Sequence, residues 1–360
     1  MLAGRAPYRV QLAGDDMSHT IASTPCLSVR FNTEFGEGTN MYKTHAIILA
    51  GLLIAGLLKG SVAVQAETTS LSPGAVFRDC ADCPELVVVP PGSFQMGSDH
   101  MEQMRDNELR PEGPVRSVVI AEPYAAGRFE ITKADYTLFV DDTGHAPVDK
   151  CVSWAGRTPV DGVNWLDPSL GRPPAGNEPV VCVTWRDAKA YVAWLAEKTG
   201  QPYRLLTEAE WEFAAKAGST AVWPWGEDAT KVCEYGNVFE DSGLKEPRST
   251  LNSNASATAA QCDDGYMMVA PVGQFRPNAF GLYDTIGNVW EWTEDCSPML
   301  YADEPTDGSA YQVSGECEKR AVRSGSWRTR LSRHRTTFRG RDPEDLGYYM
   351  FGFRIARDLN

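Results

Sequence analysis

The clearest apolar period in the chain runs between Thr184 and Gly200, where Ala188, Tyr191, Val192 and Leu195 share one helical face and Trp194 borders it. The flanks of that segment recur twice more. Thr132, Thr184 and Thr207 each stand three residues before an acid, Asp135, Asp187 and Glu210. A threonine hydroxyl there can cap free backbone N–H groups, and the acid suits the positive end of a helix. Gly144, Gly200 and Gly218 follow at the far ends, where glycine accepts the left-handed conformation that ends a helix. These signals predict three helices. The run Leu86-Val87-Val88-Val89 predicts a buried strand, ended by Pro90-Pro91-Gly92, and residues 116–120 read as a second strand. Residues 98–114 are polar and without period, so a surface loop is expected there. Residues 67–83 open with a Ser- and Thr-rich stretch and are expected to be a linker. Beyond Gly218, short apolar runs alternate with Gly, Pro, Asn and Asp. A few helices followed by a long turn-rich half predict an α+β fold, with residues 84–360 as one domain.

Composition narrows the partners. A net charge of -14 on 360 residues argues against nucleic acid. Near the start, Lys43 precedes an apolar run over residues 46–58, and Val64-Gln65-Ala66 offers small residues for cleavage before Glu67. That is the pattern of a secretory signal peptide over 41–66. The run is short for a membrane span, and no cysteine follows it closely, so no membrane anchor is expected after cleavage. Met41 stands where such a signal should begin, and residues 1–40 are expected to be a spurious or disordered leader. With such a signal peptide the protein is expected in the periplasm or outside the cell.

Cysteine usage agrees with export. After Cys26, eight cysteines remain, at 80, 83, 151, 182, 233, 262, 296 and 317. An even set in an exported chain reads as disulfides. Order alone leaves the pairing open; nearest-neighbour pairs are the expectation, each closing a short or moderate loop. Cys80-Ala81-Asp82-Cys83 could also be a redox or metal motif. A proline and a strand follow it, not the helix start that lowers a thiol pKa, so a structural bridge is favoured.

Five ordered segments then carry a resemblance. They are Val89-Pro90-Pro91-Gly92-Ser93-Phe94-Gln95-Met96-Gly97-Ser98, Tyr203-Arg204-Leu205-Leu206-Thr207-Glu208-Ala209-Glu210-Trp211-Glu212, the run from Pro277 through Gly287-Asn288-Val289-Trp290-Glu291-Trp292, Arg323-Ser324-Gly325-Ser326-Trp327, and Phe351-Gly352-Phe353-Arg354. Together they resemble the formylglycine-generating enzyme, or sulfatase-modifying-factor, family. The resemblance implies a loop-rich mixed domain related to C-type lectins. It also implies oxidation of a sulfatase cysteine by dioxygen and copper(I), with two cysteines holding the copper. Thiolates suit that soft ion. The matching positions here are Thr329 and His334, so copper is not expected. The iron-dependent branch of the same fold uses an HxxxHxE motif, and His100, His145 and His334 do not have that spacing.

For structural calcium, which takes oxygen ligands, the resemblance implies two sites. The first would use Asn237, the backbone of Val238, Asp264 and the backbone of Tyr266. The second would use Asp284, the backbones of Gly287 and Val289, and Glu291. Between Lys319 and Arg341 the chain carries nine basic residues and no acid. In the family this segment lines the substrate cleft, and arginine forks read carboxylates, sulfates or phosphates. Arg328, Arg330 and Arg335 are therefore candidates for binding an anionic peptide or small-molecule substrate. Ser326, Trp327, Thr329 and His334 would line the reacting site, with His334 moving a proton near neutral pH. Three functions stay open on these grounds: a non-thiolate oxidoreductase or maturation factor for an anionic peptide-like or secondary-metabolite substrate, a non-catalytic ligand-binding member, and a formylglycine-generating oxidase. Some periplasmic members of the family are thought to serve siderophore maturation, which fits the first.

Overall fold

The computed structural model describes residues 71–103, 109–154, 156, 158–240, 259–298 and 303–359. The leader and signal segments, 1–40 and 41–66, lie outside the described residues. Helix α1 spans Lys133–Thr143, α2 spans Trp185–Thr199 and α3 spans Glu208–Lys216. Each carries the reciprocal cap that the sequence predicts. The N-cap threonine hydroxyl accepts from the backbone of the acid three residues on, and that acid accepts from the threonine backbone. Gly144 and Gly200 end α1 and α2 in the left-handed conformation. The third helix differs slightly: Ala217, one residue before Gly218, takes the left-handed cap.

The main sheet has five antiparallel strands in the order Val76–Phe77, Leu86–Val89, Tyr124–Gly127, Ile355–Asp358, Tyr203–Leu205. Side chains alternate across a strand, so this sheet separates two apolar cores. Leu86, Ala125, Leu205 and Ile355 face a core shared with Tyr136 and Phe139 of α1 and Tyr191, Val192 and Leu195 of α2. Val87, Val89, Ala126 and Ala356 face the other, shared with Ala209, Trp211 and Phe213 of α3. Burial on both faces explains the unbroken apolar run at 86–89. The penultimate strand of the chain lies in a second sheet of four, in the order Gly340–Asp342, Arg320–Arg323, Trp290–Cys296, Phe351–Phe353. Here Trp290–Cys296 runs parallel to Phe351–Phe353 and antiparallel to Arg320–Arg323.

Two expectations are corrected. From residue 71 the segment read as a linker, 67–83, is part of the fold. Val76–Phe77 adds an edge strand, Cys80 and Cys83 are bridged, and Asp79 accepts from the Tyr203 hydroxyl at 2.6 Å. The segment 98–114 is also more than a surface loop. Met101–Gln103 pairs with Leu109–Pro111, and Glu112 is fully buried. Besides Ser98 Oγ at 2.7 Å, its side-chain partners stand more than 220 residues away, at Arg335 and Thr337, beyond the reach of any local pattern.

The other bridges are Cys151–Cys182, Cys233–Cys262 and Cys296–Cys317, the nearest-neighbour order throughout. No helix among the described residues is long and apolar enough to cross a membrane.

Candidate functional site

The Gly-Ser-aromatic segment leaves the end of strand Arg320–Arg323 through two residues with positive φ, Ser324 at 83° and Gly325 at 97°. A Cβ on Gly325 would lie 2.5 Å from His334 Nδ1, so only glycine fits between the turn and that ring. Trp327 N–H donates to the Asn288 carbonyl at 3.0 Å, pinning the turn to the Gly287-Asn288-Val289 segment. Thr329 Oγ1 accepts from Ser326 N–H at 3.0 Å and shares a hydrogen bond with Ser326 Oγ at 2.9 Å. His334 Nε2 donates to the Thr329 carbonyl at 2.8 Å. The structure thus brings Ser326, Thr329 and His334 together as a hydrogen-bonded knot.

His334 has no exposed surface, and burial pushes its pKa down to about 4. Removing the ring from water penalises the imidazolium, and a carbonyl partner offsets that only in part. The expected proton carrier near neutral pH is therefore corrected to a neutral imidazole that ties the loop. Its own carbonyl accepts from Trp223 Nε1 at 2.7 Å, extending that role.

The cationic segment is largely neutralised from elsewhere in the chain. Glu102 holds both Arg330 and Arg333, at 2.8 Å each. Glu112 holds Arg335. Arg320 pairs with Glu344, and Arg323 and Arg339 enter a buried network with Glu208, Glu212 and Glu304. Of the three arginines expected to read substrate, two therefore already grip carboxylates. Arg328 is the exception. Its Nη1 donates to the Trp154 carbonyl at 2.7 Å and to the Tyr349 hydroxyl at 3.0 Å, both neutral acceptors. The guanidinium lies 5.9 Å from the ring centres of both residues. Trp327 packs edge-on against Tyr349, and its indole Nε1 is buried without a hydrogen-bond partner. Trp154 and Tyr349 escaped the sequence reading because nothing local links position 154 to position 328. The bridge Cys151–Cys182 and the main-chain bond from Tyr349 N–H to Val152 carry that link.

The oxygen-donor sets separate in the same way. Asp264 accepts from the Val238 and Tyr266 N–H groups at 2.8 and 2.9 Å. Its carboxylate clusters with those of Glu240 and Asp263, whose ligand oxygens all lie within 4.8 Å of one another. Burial, then the charges of Glu240 and Asp263, raise the Asp264 pKa to about 6. Asn237 is fully buried, and its Oδ1 has no partner. This donor set suits a hard cation. Asp263 could have been suspected from its place beside Asp264; Glu240 could not. A cleft of about 670 Å³ reaches Asp264 between Glu234, Tyr266, Phe275 and Arg276.

In the second set, Asp284 Oδ2 accepts from Gly273 N–H at 2.7 Å, while Oδ1 is buried and unpartnered. Glu291 is otherwise engaged. Arg354 reaches both of its oxygens, at 2.8 and 3.0 Å, and Trp211 Nε1 donates to it at 2.7 Å. Gly287 approaches so closely that a Cβ would lie 2.1 Å from the Asn237 carbonyl, and its own carbonyl accepts from Ser324 Oγ at 3.0 Å. Val289 is buried in a third core with Trp327 and Tyr349.

A loop-rich α+β domain whose Gly-Ser-aromatic turn is locked to a Gly-Asn-Val-Trp strand defines a protein class, and comparison with known proteins agrees. Residues 72–359 match the family of the sulfatase-modifying factor enzyme 1-like domain, and the chain belongs to that family. The formylglycine-generating enzyme of Mus musculus is 30% identical, over 76% of this chain and 75% of the relative. The inactive C-alpha-formylglycine-generating enzyme 2 of Bos taurus is 31% identical, over 75% of this chain and 87% of the relative. The solved structure of PvdO from Pseudomonas aeruginosa superposes with a TM-score of 0.64 at 34% identity, covering 80% of this chain and 99% of that one. A formylglycine-generating enzyme and a relative named as inactive are thus similar to nearly the same degree, so overall similarity does not decide the chemistry.

Proposed function

We propose that this chain is an exported, non-thiolate member of the family, a maturation factor or oxidoreductase that receives an anionic peptide-like or secondary-metabolite substrate at Arg328. One observation carries the reading. Among the described residues Arg328 meets only neutral acceptors, beside an indole N–H with no acceptor. An incoming carboxylate or sulfate would offer the guanidinium a charge-assisted bond, stronger than those it makes to a carbonyl and a phenol. Trp154, Trp327 and Tyr349 would wall the flat part of such a ligand. The eight cysteines of the described residues are all bridged, which leaves no thiolate pair there for copper(I) and disfavours a formylglycine-generating oxidase. Four disulfides are consistent with folding in an oxidising compartment, the periplasm or outside the cell. Calcium would be structural, with the Glu240, Asp263 and Asp264 carboxylates and Asn237 as one holding set.

The test uses the indoles beside the arginine. Sulfate and a short acidic peptide are titrated against tryptophan fluorescence. Arg328→Ala is expected to weaken the peptide at least tenfold and Arg330→Ala to leave it unchanged, since Arg330 is held by Glu102. Equal losses in the two variants would remove Arg328 from recognition. A second reading, a non-catalytic binding member, draws on the inactive relative. Tight binding without any product by mass spectrometry would favour it. Retention of one copper per chain after desalting, lost in His334→Ala, would instead restore the oxidase.

A further inference from the structure

Two guanidiniums converge on one carboxylate, Glu102, in the strand Met101–Gln103. Arg333 takes it as a fork, with Nε donating to Oε2 at 2.8 Å and Nη2 to Oε1 at 2.9 Å. Arg330 Nη2 adds a third contact, to Oε1 at 2.8 Å. This is the arrangement by which arginines read a carboxylate or a sulfate. The chain itself therefore shows what the pair binds. The setting also calls for an anion. Burial lowers the Arg333 pKa, Glu102 opposes that, and the like charges of Arg330 and Arg110 add to it.

The hold of Glu102 is not backed by a larger sheet. Among the described residues Met101–Gln103 pairs with Leu109–Pro111 alone, and an isolated two-stranded ribbon is marginal in water. Met101 and Leu109 are 54% and 47% exposed on it, so little apolar burial ties it down. At its root, Glu112 is buried on Arg335 and Thr337. Glu102 can thus leave the arginines while the root stays fixed.

We propose that Arg330 and Arg333 form a second oxyanion subsite beside Arg328, and that Glu102 fills it as an internal competitor which a substrate with two oxyanions displaces. The proposal rests on the reading of Arg328 as the first anchor and adds that the substrate is dianionic. Arg328 and Arg330 are two residues apart, so their Cα atoms lie within about 7 Å. Glu102 is tethered and acts at high effective concentration; an oxyanion on a ligand already anchored at Arg328 gains the same advantage, whereas a separate anion does not. Because one carboxylate replaces another, Arg330→Ala removes both contacts and leaves the wild-type affinity unchanged. The subsite shows itself only when Glu102 is removed.

The full chain is titrated by calorimetry with a short peptide carrying two glutamates, and separately with sulfate, at fixed ionic strength. Glu102→Gln is expected to bind the peptide at least tenfold more tightly than wild type, and Glu102→Gln with Arg330→Ala to lose that gain. Sulfate separates the two readings. It should bind Glu102→Gln through Arg330 even when Arg328 is alanine, so a failed anchor at Arg328 does not hide the subsite. Sulfate binding no tighter in Glu102→Gln than in wild type, or a gain that survives Arg330→Ala, overturns the proposal. Thermal melts guard against a folding defect. In chloride, Glu102→Gln should melt below wild type, and sulfate should recover most of the difference; an equal loss in both salts also overturns it. Glu102→Asp keeps the charge and shortens its reach, and should show part of the same gain.

Discussion

Two buried charge clusters of this protein are built from the same residue types and balance differently. Beneath α3, Glu208, Glu212 and Glu304 meet Arg323, Arg339, Arg116 and Lys216. Asp295, beside them, has its pKa pushed up to about 8 by burial and then by the Glu208 charge, so it joins mainly as a neutral acid. Around Asp284, three carboxyls share Arg354. The first cluster finds its counter-ions within the chain and serves as a rivet between α3 and the four-stranded sheet. The second has one guanidinium for three carboxyls, and burial raises the pKa of Glu130 and of Asp284, so bound protons make up the balance. Buried charge is tolerated only when matched, so a core carboxyl without a cation of its own tends to keep its proton.

Breaking the balanced cluster should give the largest effect. Arg323→Met leaves Glu208 and Glu212 partly unpaired in a dry site and is expected to cost about 3–5 kcal/mol, read from urea unfolding. A loss below about 1 kcal/mol would mean that water reaches the cluster. His334 supplies a buried group that stays neutral in place of pairing. Its folded pKa of about 4 lies below the unfolded value of 6.5, so the unfolded chain binds the proton first. Its contribution is complete above about pH 6.5 and is lost as pH falls toward 4, a total of about 3 kcal/mol. His334→Asn should flatten that acid limb in stability measured against pH; an unchanged slope would place the titration elsewhere. Arg330→Ala removes an ion pair at a side chain that is 41% exposed. It should change stability by no more than about 1 kcal/mol, and less at high salt.

Legibility followed the range of the interaction. All three helix starts were readable because a cap closes within four residues, as the Thr184–Asp187 pair shows. The C-terminal half was not, because its order comes from ties such as Trp327 N–H to Asn288 and Trp185 Nε1 to the Thr293 carbonyl. The candidate site divides along the same line. Ser326, Thr329 and His334 stand within nine residues and fall together, whereas Trp154 and Glu240 joined their neighbours only through the fold.

By itself the sequence determined the family, the α+β class, the helix ends and an even set of cysteines after Cys26, each written in residues close to one another or in ordered motifs. It could also count charges, but not their partners. Nine basic residues between 319 and 341 looked like an open cationic cleft. Tertiary structure decided that Glu102, Glu112, Glu208 and Glu212, more than a hundred residues upstream, hold most of the arginines. Coulomb attraction depends on separation in space and on the water excluded between the charges, and neither quantity is written in the order of the chain.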